Sequence, residues 1–485
     1  MPTWDAGSMR RRGERASARR ALGRWVRVLG LLLAACLSNP TTAAAGPRTA
    51  AVDRRITLDN GLRLLLSRQR SVPIVAIECL VDGGARVDPA TRPGLAGFTA
   101  ALLDEGTRQH SSREIAQLAD SLGGSFSAGA AEDWINVSAF FLARDFETAL
   151  ELVAASLSTP TFPPEEVERI RRQILGSLEA SEDEPGWVAN RAFLAALYGQ
   201  APSGHPIAGN PATVKALRRE DLVAFHEDEM SPERTICVIV GDVEVQTMET
   251  NARRLLGDWA APAHDRADTR PAPLPPSAPR VVVVDRPLEQ ANVVLGQSGV
   301  SRDDPDYFPL LVMNHILGGG GFTSRLLDTV RTRAGLAYGV YSHFIPNRLP
   351  GPFEIVLQTK VASTAQAIDL VRREVRRMHD TGATADELAA AQDYLTGNFP
   401  LRLDSTAKLA DLFARIEYFG LGPGYITTYA ERVRAVSSAD VKRVAQAHLR
   451  PDALVTVVVG PRETLAGSGI VESAGMPSNG AVAAP

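Results

Sequence analysis

From Arg55 onward, apolar and polar positions fall into short blocks whose period separates strands from helices. Arg55 to Leu66 (RITLDNGLRLLL) predicts two short strands around an Asn60-Gly61 turn. Ile74 to Asp82 is a mostly apolar run rich in β-branched residues and predicts a strand, broken by Gly83-Gly84. Ser112 to Leu122 has helical spacing and begins at a Ser-Ser-Arg-Glu capping pattern. Gly123 to Ala128 opens another strand, and Phe146–Ser156 and Pro164–Ser181 predict helices. Later, Thr323–Arg333 predicts a helix with Gly335 as its C′ residue, and LAYGVYSHF a strand.

The pattern then repeats. Asp221 to Gly241 aligns with Asp440 to Gly460 at a constant offset of 219 residues, matching Pro232 to Pro451 and Gly241 to Gly460. Thr213–Leu217 matches Arg432–Val436 at the same offset. Each copy reads helix, turn, buried strand, glycine, so one fold is used twice. Between the copies, Pro262–Pro279 holds six prolines and little apolar content. The expected organisation is a first half at 46–262, a Pro-rich linker at 263–279, a second half at 280–466 and a disordered Gly/Ala/Ser/Pro tail at 467–485.

Composition changes this picture little. A hydrophobic fraction of 45% and a charged fraction of 22% are those of an ordinary globular chain. The N-terminus changes it more. Eight Arg between Arg10 and Arg27 precede a short apolar core at Val28–Leu37, and small residues follow at Thr41–Gly46, so residues 1–45 read as an export signal. Two processing routes fit. Leu33-Ala34-Ala35-Cys36 resembles a lipobox, which would lipidate Cys36 and anchor the chain to a membrane; cleavage after Ala45 would release it. The expected location is periplasmic. Residues 1–45 contribute +6 to a formal charge of −4, so the remainder is acidic and offers no basic patch to nucleic acid. Cys79 and Cys237 sit in apolar, strand-like runs and read as two buried thiols.

The candidate chemistry lies in Gly94–Thr107 (GLAGFTAALLDEGT). It resembles the signature segment of the M16 metallopeptidases (insulinase and mitochondrial-processing-peptidase type), roughly G-x-A-H-F-x-E-H-x-x-F-x-G-T. Gly94, Ala96, Phe98, Gly106 and Thr107 keep the frame. The two zinc-binding His positions are Gly97 and Ala101, and the water-activating Glu position is Ala100. Imidazoles at i and i+4 share one helical face and can reach one metal, whereas Gly and Ala have no donor atoms. Glu182-Asp183-Glu184-Pro185 matches the end of the family's third-ligand helix, which puts the ligand Glu at Ser177. Glu179 and Glu182 do not replace it, since on a helix they point some 200° and some 140° round from Ser177. Ser127 stands where the family has Asn on a substrate-pairing strand, and His205 lies in a family-like GHPIAGNP loop. The resemblance therefore implies no metal on this chain.

The second half, by contrast, keeps its own family-like residues. Leu317–Leu326 (LGGGGFTSRL) lacks the Lys-Ser/Thr of a phosphate loop and resembles the LGGGFxSRL segment of M16 C-terminal halves; Gly319, Gly320 and Phe322 are candidate substrate contacts. Arg331 and Tyr338 have the spacing of the family's R-x-x-x-G-L-x-Y segment, whose Arg and Tyr reach the substrate. The plainer reading is an Arg complementing a helix C-terminus and a Tyr in packing. The resemblance implies an α+β fold, with duplicated halves of antiparallel-rich sheets and packed helices forming a clam-like shell. It also implies a non-catalytic subunit, inactive alone. Such a subunit would bind extended or unfolded peptide and pair with an HxxEH-bearing partner that carries the zinc, supplying Arg331 and Tyr338. The alternative is an M16-like scaffold or peptide-binding protein without an enzymatic role.

Overall fold

The computed structural model describes residues 51–260 and 279–473. The expected export signal with Cys36, nearly all of the Pro-rich linker, and residues 474–485 lie outside the described residues.

The first half is built on one sheet. Its strands are β1 (Arg54–Thr57), β2 (Arg63–Arg68), β3 (Ile74–Asp82), β4 (Ser125–Ala130), β5 (Trp134–Leu142) and β6 (Thr235–Gly241), in the order β1-β2-β6-β3-β5-β4. The second half has β7 (Arg280–Asp285), β8 (Gln290–Ser298), β9 (Ala337–Phe344), β10 (Pro352–Lys360) and β11 (Val455–Gly460), in the order β7-β11-β8-β10-β9. Without β1 the two orders are the same. In each, only the first pair, β2 with β6 or β7 with β11, is parallel. The 219-residue offset maps β5 onto β10 and β6 onto β11 to within a residue. The chain is thus an α+β duplication.

The repeated strand is the apolar centre of each sheet. β6 (TICVIVG) and β11 (VTVVVG) are buried along their whole length, because helices cover both faces. The second face comes from the opposite half. The Pro185–Tyr198 helix of the first half packs on β8 and β11, and the Thr406–Tyr418 helix of the second half packs on β3 and β6. These helices are themselves equivalent at the 219-residue offset, so the halves exchange matching elements. Side-chain alternation divides the layers: Val455, Val457 and Val459 meet Val188 and Phe193 of the exchanged helix, while Val458 joins the second half's own core.

Polar contacts lock the exchange. Tyr418 Oη donates to Asp82 Oδ1 (2.6 Å) and to the Asp133 carbonyl (3.0 Å), and its ring meets Trp134 edge-on. Asn190 Nδ2 donates to Glu354 Oε2 (3.0 Å) on the other side.

Two expectations are corrected. Cys79 and Cys237 are not free thiols but a disulfide. They are direct partners in the antiparallel β3–β6 pair, with Cα atoms 4.1 Å apart, so both side chains leave the same face of the sheet. A separation of 158 residues hides that register from the sequence. Residues 467–473 of the expected disordered tail are also ordered. Ile470 is buried in the second core, and the Ser473 N–H donates to the Val281 carbonyl (3.0 Å) while its Oγ accepts from the Val281 N–H (2.8 Å). One well-placed isoleucine anchors a segment whose composition reads as loose.

Candidate functional site

The signature segment folds as a short helix, Leu95–Ala100, entered through Gly94 at φ 96°. Asp88 sets that entry: its carboxylate accepts the N–H groups of Gly94 and Ala96, each at 2.8 Å. Burial pushes its pKa up to about 7 against those two hydrogen bonds. Sequence reasoning passed over Asp88, which precedes the helix by several residues and matches no cap spacing. Phe98 is fully buried, with the Arg171 guanidinium 5.2 Å from its ring centre.

The four reactive positions have lost more than their side chains. A Cβ on Gly97 would lie well inside 3.0 Å of the Ile207 carbonyl oxygen. The loop carrying His205 thus lies against the helix backbone, and it is held there because Gly94 and Gly209 also approach without side chains between them. Ala100 is fully buried, and Ala101 packs against the first core. Ser177 is exposed on the Pro164–Glu182 helix, its carbonyl taken by Ser181 Oγ (2.8 Å). Of the nearby carboxylates, Glu182 is bound to Arg191 (3.0 Å) and Arg286 (3.5 Å). The residues present do not fit a zinc ion: Gly97, Ala100 and Ala101 offer no donor atom, Ser177 offers only a hydroxyl in place of a carboxylate, and the first ligand position has no room for a side chain. Ser127 lies on β4, the edge strand of the first sheet, and its Oγ is 3.1 Å from Ser138 Oγ.

Elsewhere among the described residues, one grouping has metal-ligating residue types: Asp304, Asp306 and His448. It is already neutralised. Asp306 accepts both terminal nitrogens of Arg443 (2.7 and 3.0 Å) and His448 Nε2 (2.8 Å), which hold its pKa below the usual range.

The second locus is organised differently. His315–Gly319 and Leu327–Arg333 wind wider than an α-helix, closing i→i+5 bonds such as Gly320 N–H to the His315 carbonyl (2.8 Å) and Ala334 N–H to the Thr329 carbonyl (3.2 Å). The expected helix at Thr323–Arg333 is therefore present but unwound, and Gly335 follows it at φ 64°. Gly319 lies beside Asn314 and Gly320 against His315. Asn314 Nδ2 donates to the Ser342 carbonyl (3.1 Å) and its Oδ1 accepts from Ser342 Oγ (2.8 Å), tying the glycine turn to β9.

Three arginines leave this stretch, and their partners separate them. Arg325 is buried and gives two 2.7 Å hydrogen bonds to Glu387, holding that carboxyl down at about 2. Arg333 pairs with Asp328 (2.7 Å). Arg331 makes no ion pair among the described residues. Its guanidinium instead lies between two aromatic rings, 4.8 Å from the centre of Phe322 and 5.2 Å from that of Tyr338. Phe322 is 78% exposed and Tyr338 85%. Aromatic faces fix the plane of the guanidinium and leave its N–H groups free. Three of the sequence candidates are thus brought together, on a turn, a helix end and the edge strand β9; Gly319 and Gly320 form the adjoining turn.

Comparison with known proteins gives concordant matches. Residues 63–211 match the description Insulinase (Peptidase family M16), and residues 216–395 match Peptidase M16 inactive domain. An uncharacterised zinc protease of Streptomyces coelicolor is 28% identical over 85% of this chain and 91% of its own length. A protein of Helicobacter pylori called a non-peptidase homolog is 24% identical over 81% of this chain and 90% of its own. The crystal structure of a peptidase M16 inactive domain from Pseudomonas fluorescens superposes with a TM-score of 0.79 at 29% identity, covering 84% of this chain and 97% of that one.

Proposed function

The chain belongs to the M16 peptidase family, and from that premise we propose that it is the non-catalytic subunit of a heterodimeric M16 zinc peptidase. In this reading it binds an extended peptide and supplies Arg331 and Tyr338 to a site whose zinc is held by an HxxEH-bearing partner. The observation that carries it is the contrast among the three arginines. Arg325 and Arg333 are spent on carboxylates of their own chain, while Arg331 lies over two aromatic rings and has no counter-ion among the described residues. A guanidinium that serves stability is normally paired. One held open beside an exposed phenol is suited to receive a group from outside.

The partner's zinc activates the attacking water. The Arg331 N–H groups and the Tyr338 O–H donate to the scissile carbonyl and strengthen as negative charge develops on it. Phe322 and Tyr338 hold the guanidinium plane before substrate arrives, so little orientational freedom is lost on binding. The edge of β9 offers main-chain groups along which an extended peptide can pair. The Cys79–Cys237 disulfide supports export to an oxidising compartment such as the periplasm, since such bonds persist there.

The test is hydrolysis of a quenched extended peptide by this chain alone, by an HxxEH-bearing M16 chain from the same genome, and by their mixture, each with its zinc content determined. This chain is expected to be zinc-free and inactive, and the mixture active. Stoichiometric zinc and activity in the isolated chain would overturn the reading. Peptide binding without activation of the partner would support the scaffold alternative.

A further inference from the structure

A cavity of about 400 Å³ opens between the two halves, away from the stacked arginine. Its walls come from the Glu132–Asp133 turn, the exchanged Pro185–Tyr198 helix, the His205 loop, and the connection between β9 and β10. Trp187, Leu194 and Ile345 make it largely apolar.

The charges around it are unevenly satisfied. Arg86 and Arg191 both reach the lining; Arg86 is bound to Asp82 (2.6 Å) and lies 3.8 Å from Asp133, and Arg191 is bound to Glu182 (3.0 Å). Three acidic residues belong to the lining, Glu132, Asp133 and Glu354. Asp133 Oδ2 accepts the Arg348 N–H (2.8 Å), while its Oδ1 makes no hydrogen bond and lies 3.8 Å from Arg86 Nε; Glu132 accepts from Ser203 Oγ. Glu354 pairs with no arginine among the described residues. Its side chain is 2% exposed; Oε2 accepts from Asn190 and lies 3.3 Å from His343 Nε2, while Oε1 has no hydrogen-bond partner. His205 Nε2, also in the lining, has none either. Leaving a carboxylate oxygen unpaired in a desolvated site is costly, and a bound hydrogen-bond donor carrying positive charge removes that cost.

We propose that this cavity is a binding site for a small organic cation, an ammonium, amidinium or guanidinium group on an apolar body, with Glu354 as its counter-ion and Trp187, Leu194 and Ile345 receiving the body. His205 Nε2 is a second polar contact that fixes the ligand's orientation. The site uses no residue of the peptidase reading and stands independently of it.

Calorimetric titration of the full chain with benzamidine, and with its neutral isostere benzamide, tests the proposal. The wild type is expected to bind benzamidine at least tenfold more tightly than benzamide. Glu354→Gln should remove that preference. Ala208→Trp, at an exposed lining position, should weaken both ligands by filling the cavity, and it decides the matter if the Gln variant fails to fold. Failure of benzamidine to bind the folded wild type, equal binding of the two probes, an unchanged preference in folded Glu354→Gln, or undiminished benzamidine binding in Ala208→Trp would each overturn it.

Discussion

The carbonyl oxygen of Ile207 occupies the space that a Cβ on Gly97 would need. The lost metal site is therefore closed by backbone, and restoring the side chains does not restore the site. Gly97→Ala is expected to destabilise the chain by about 1–3 kcal/mol, the usual cost of overpacking. The triple variant Gly97→His, Ala100→Glu, Ala101→His is expected to hold no stoichiometric zinc. Urea unfolding and elemental analysis check both, and a zinc-loaded triple variant of wild-type stability would show that the loop yields.

Arg325 and Arg331 lie six residues apart and predict opposite phenotypes. Arg325→Ala strips a largely buried guanidinium from Glu387 and should cost about 2–3 kcal/mol of stability. Arg331→Lys keeps the charge and loses the planar stack, so stability should stay within about 0.5 kcal/mol. Activity of the mixture with the HxxEH partner should fall at least tenfold, about 1.4 kcal/mol of transition-state stabilisation. Paired thermal melts and peptide hydrolysis separate the two outcomes.

The β3–β6 disulfide predicts that neither Cys79 nor Cys237 reacts with thiol reagents in the oxidised folded chain, and a loss of about 2–4 kcal/mol on reduction or in Cys79→Ala/Cys237→Ala. Denaturant midpoints with and without reductant measure this. Two titratable thiols in chain recovered from an oxidising compartment would contradict it.

Glu78 lies on β3, where burial, followed by Asp411 on the exchanged helix, pushes its pKa up to about 8; Arg415 opposes the shift. Folding therefore takes up a proton here. The group's stabilising contribution is complete below its unfolded pKa of about 4.5 and is lost as pH rises through about 8. Glu78→Gln should match the wild type near pH 4 and become increasingly the more stable protein up to pH 9. A melting-temperature difference that stays constant across that range would refute this assignment.

Much of the fold was legible because its causes are local. The Ser111–Glu114 capping box, the Asn60-Gly61 turn and the apolar run of β3 each depend on a few neighbouring residues. The 219-residue repeat carried the duplication, since equal patterns of burial demand equal folds. Arg331, Tyr338 and Phe322 could be selected from the family-like motif around them, but nothing in their spacing told that both rings would flank the guanidinium.

The sequence by itself determined which groups are missing: no imidazole or carboxylate stands at Gly97, Ala100, Ala101 or Ser177, and no folding can supply one. Only the tertiary structure decided where the remaining groups are spent. The pairing of Cys79 with Cys237, the exchange of helices between halves, the commitment of Arg325 but not Arg331, and the unpaired oxygen of Glu354 all join residues far apart in the chain. Such contacts depend on strand register and on the packing of whole layers, and no local pattern of residues encodes either.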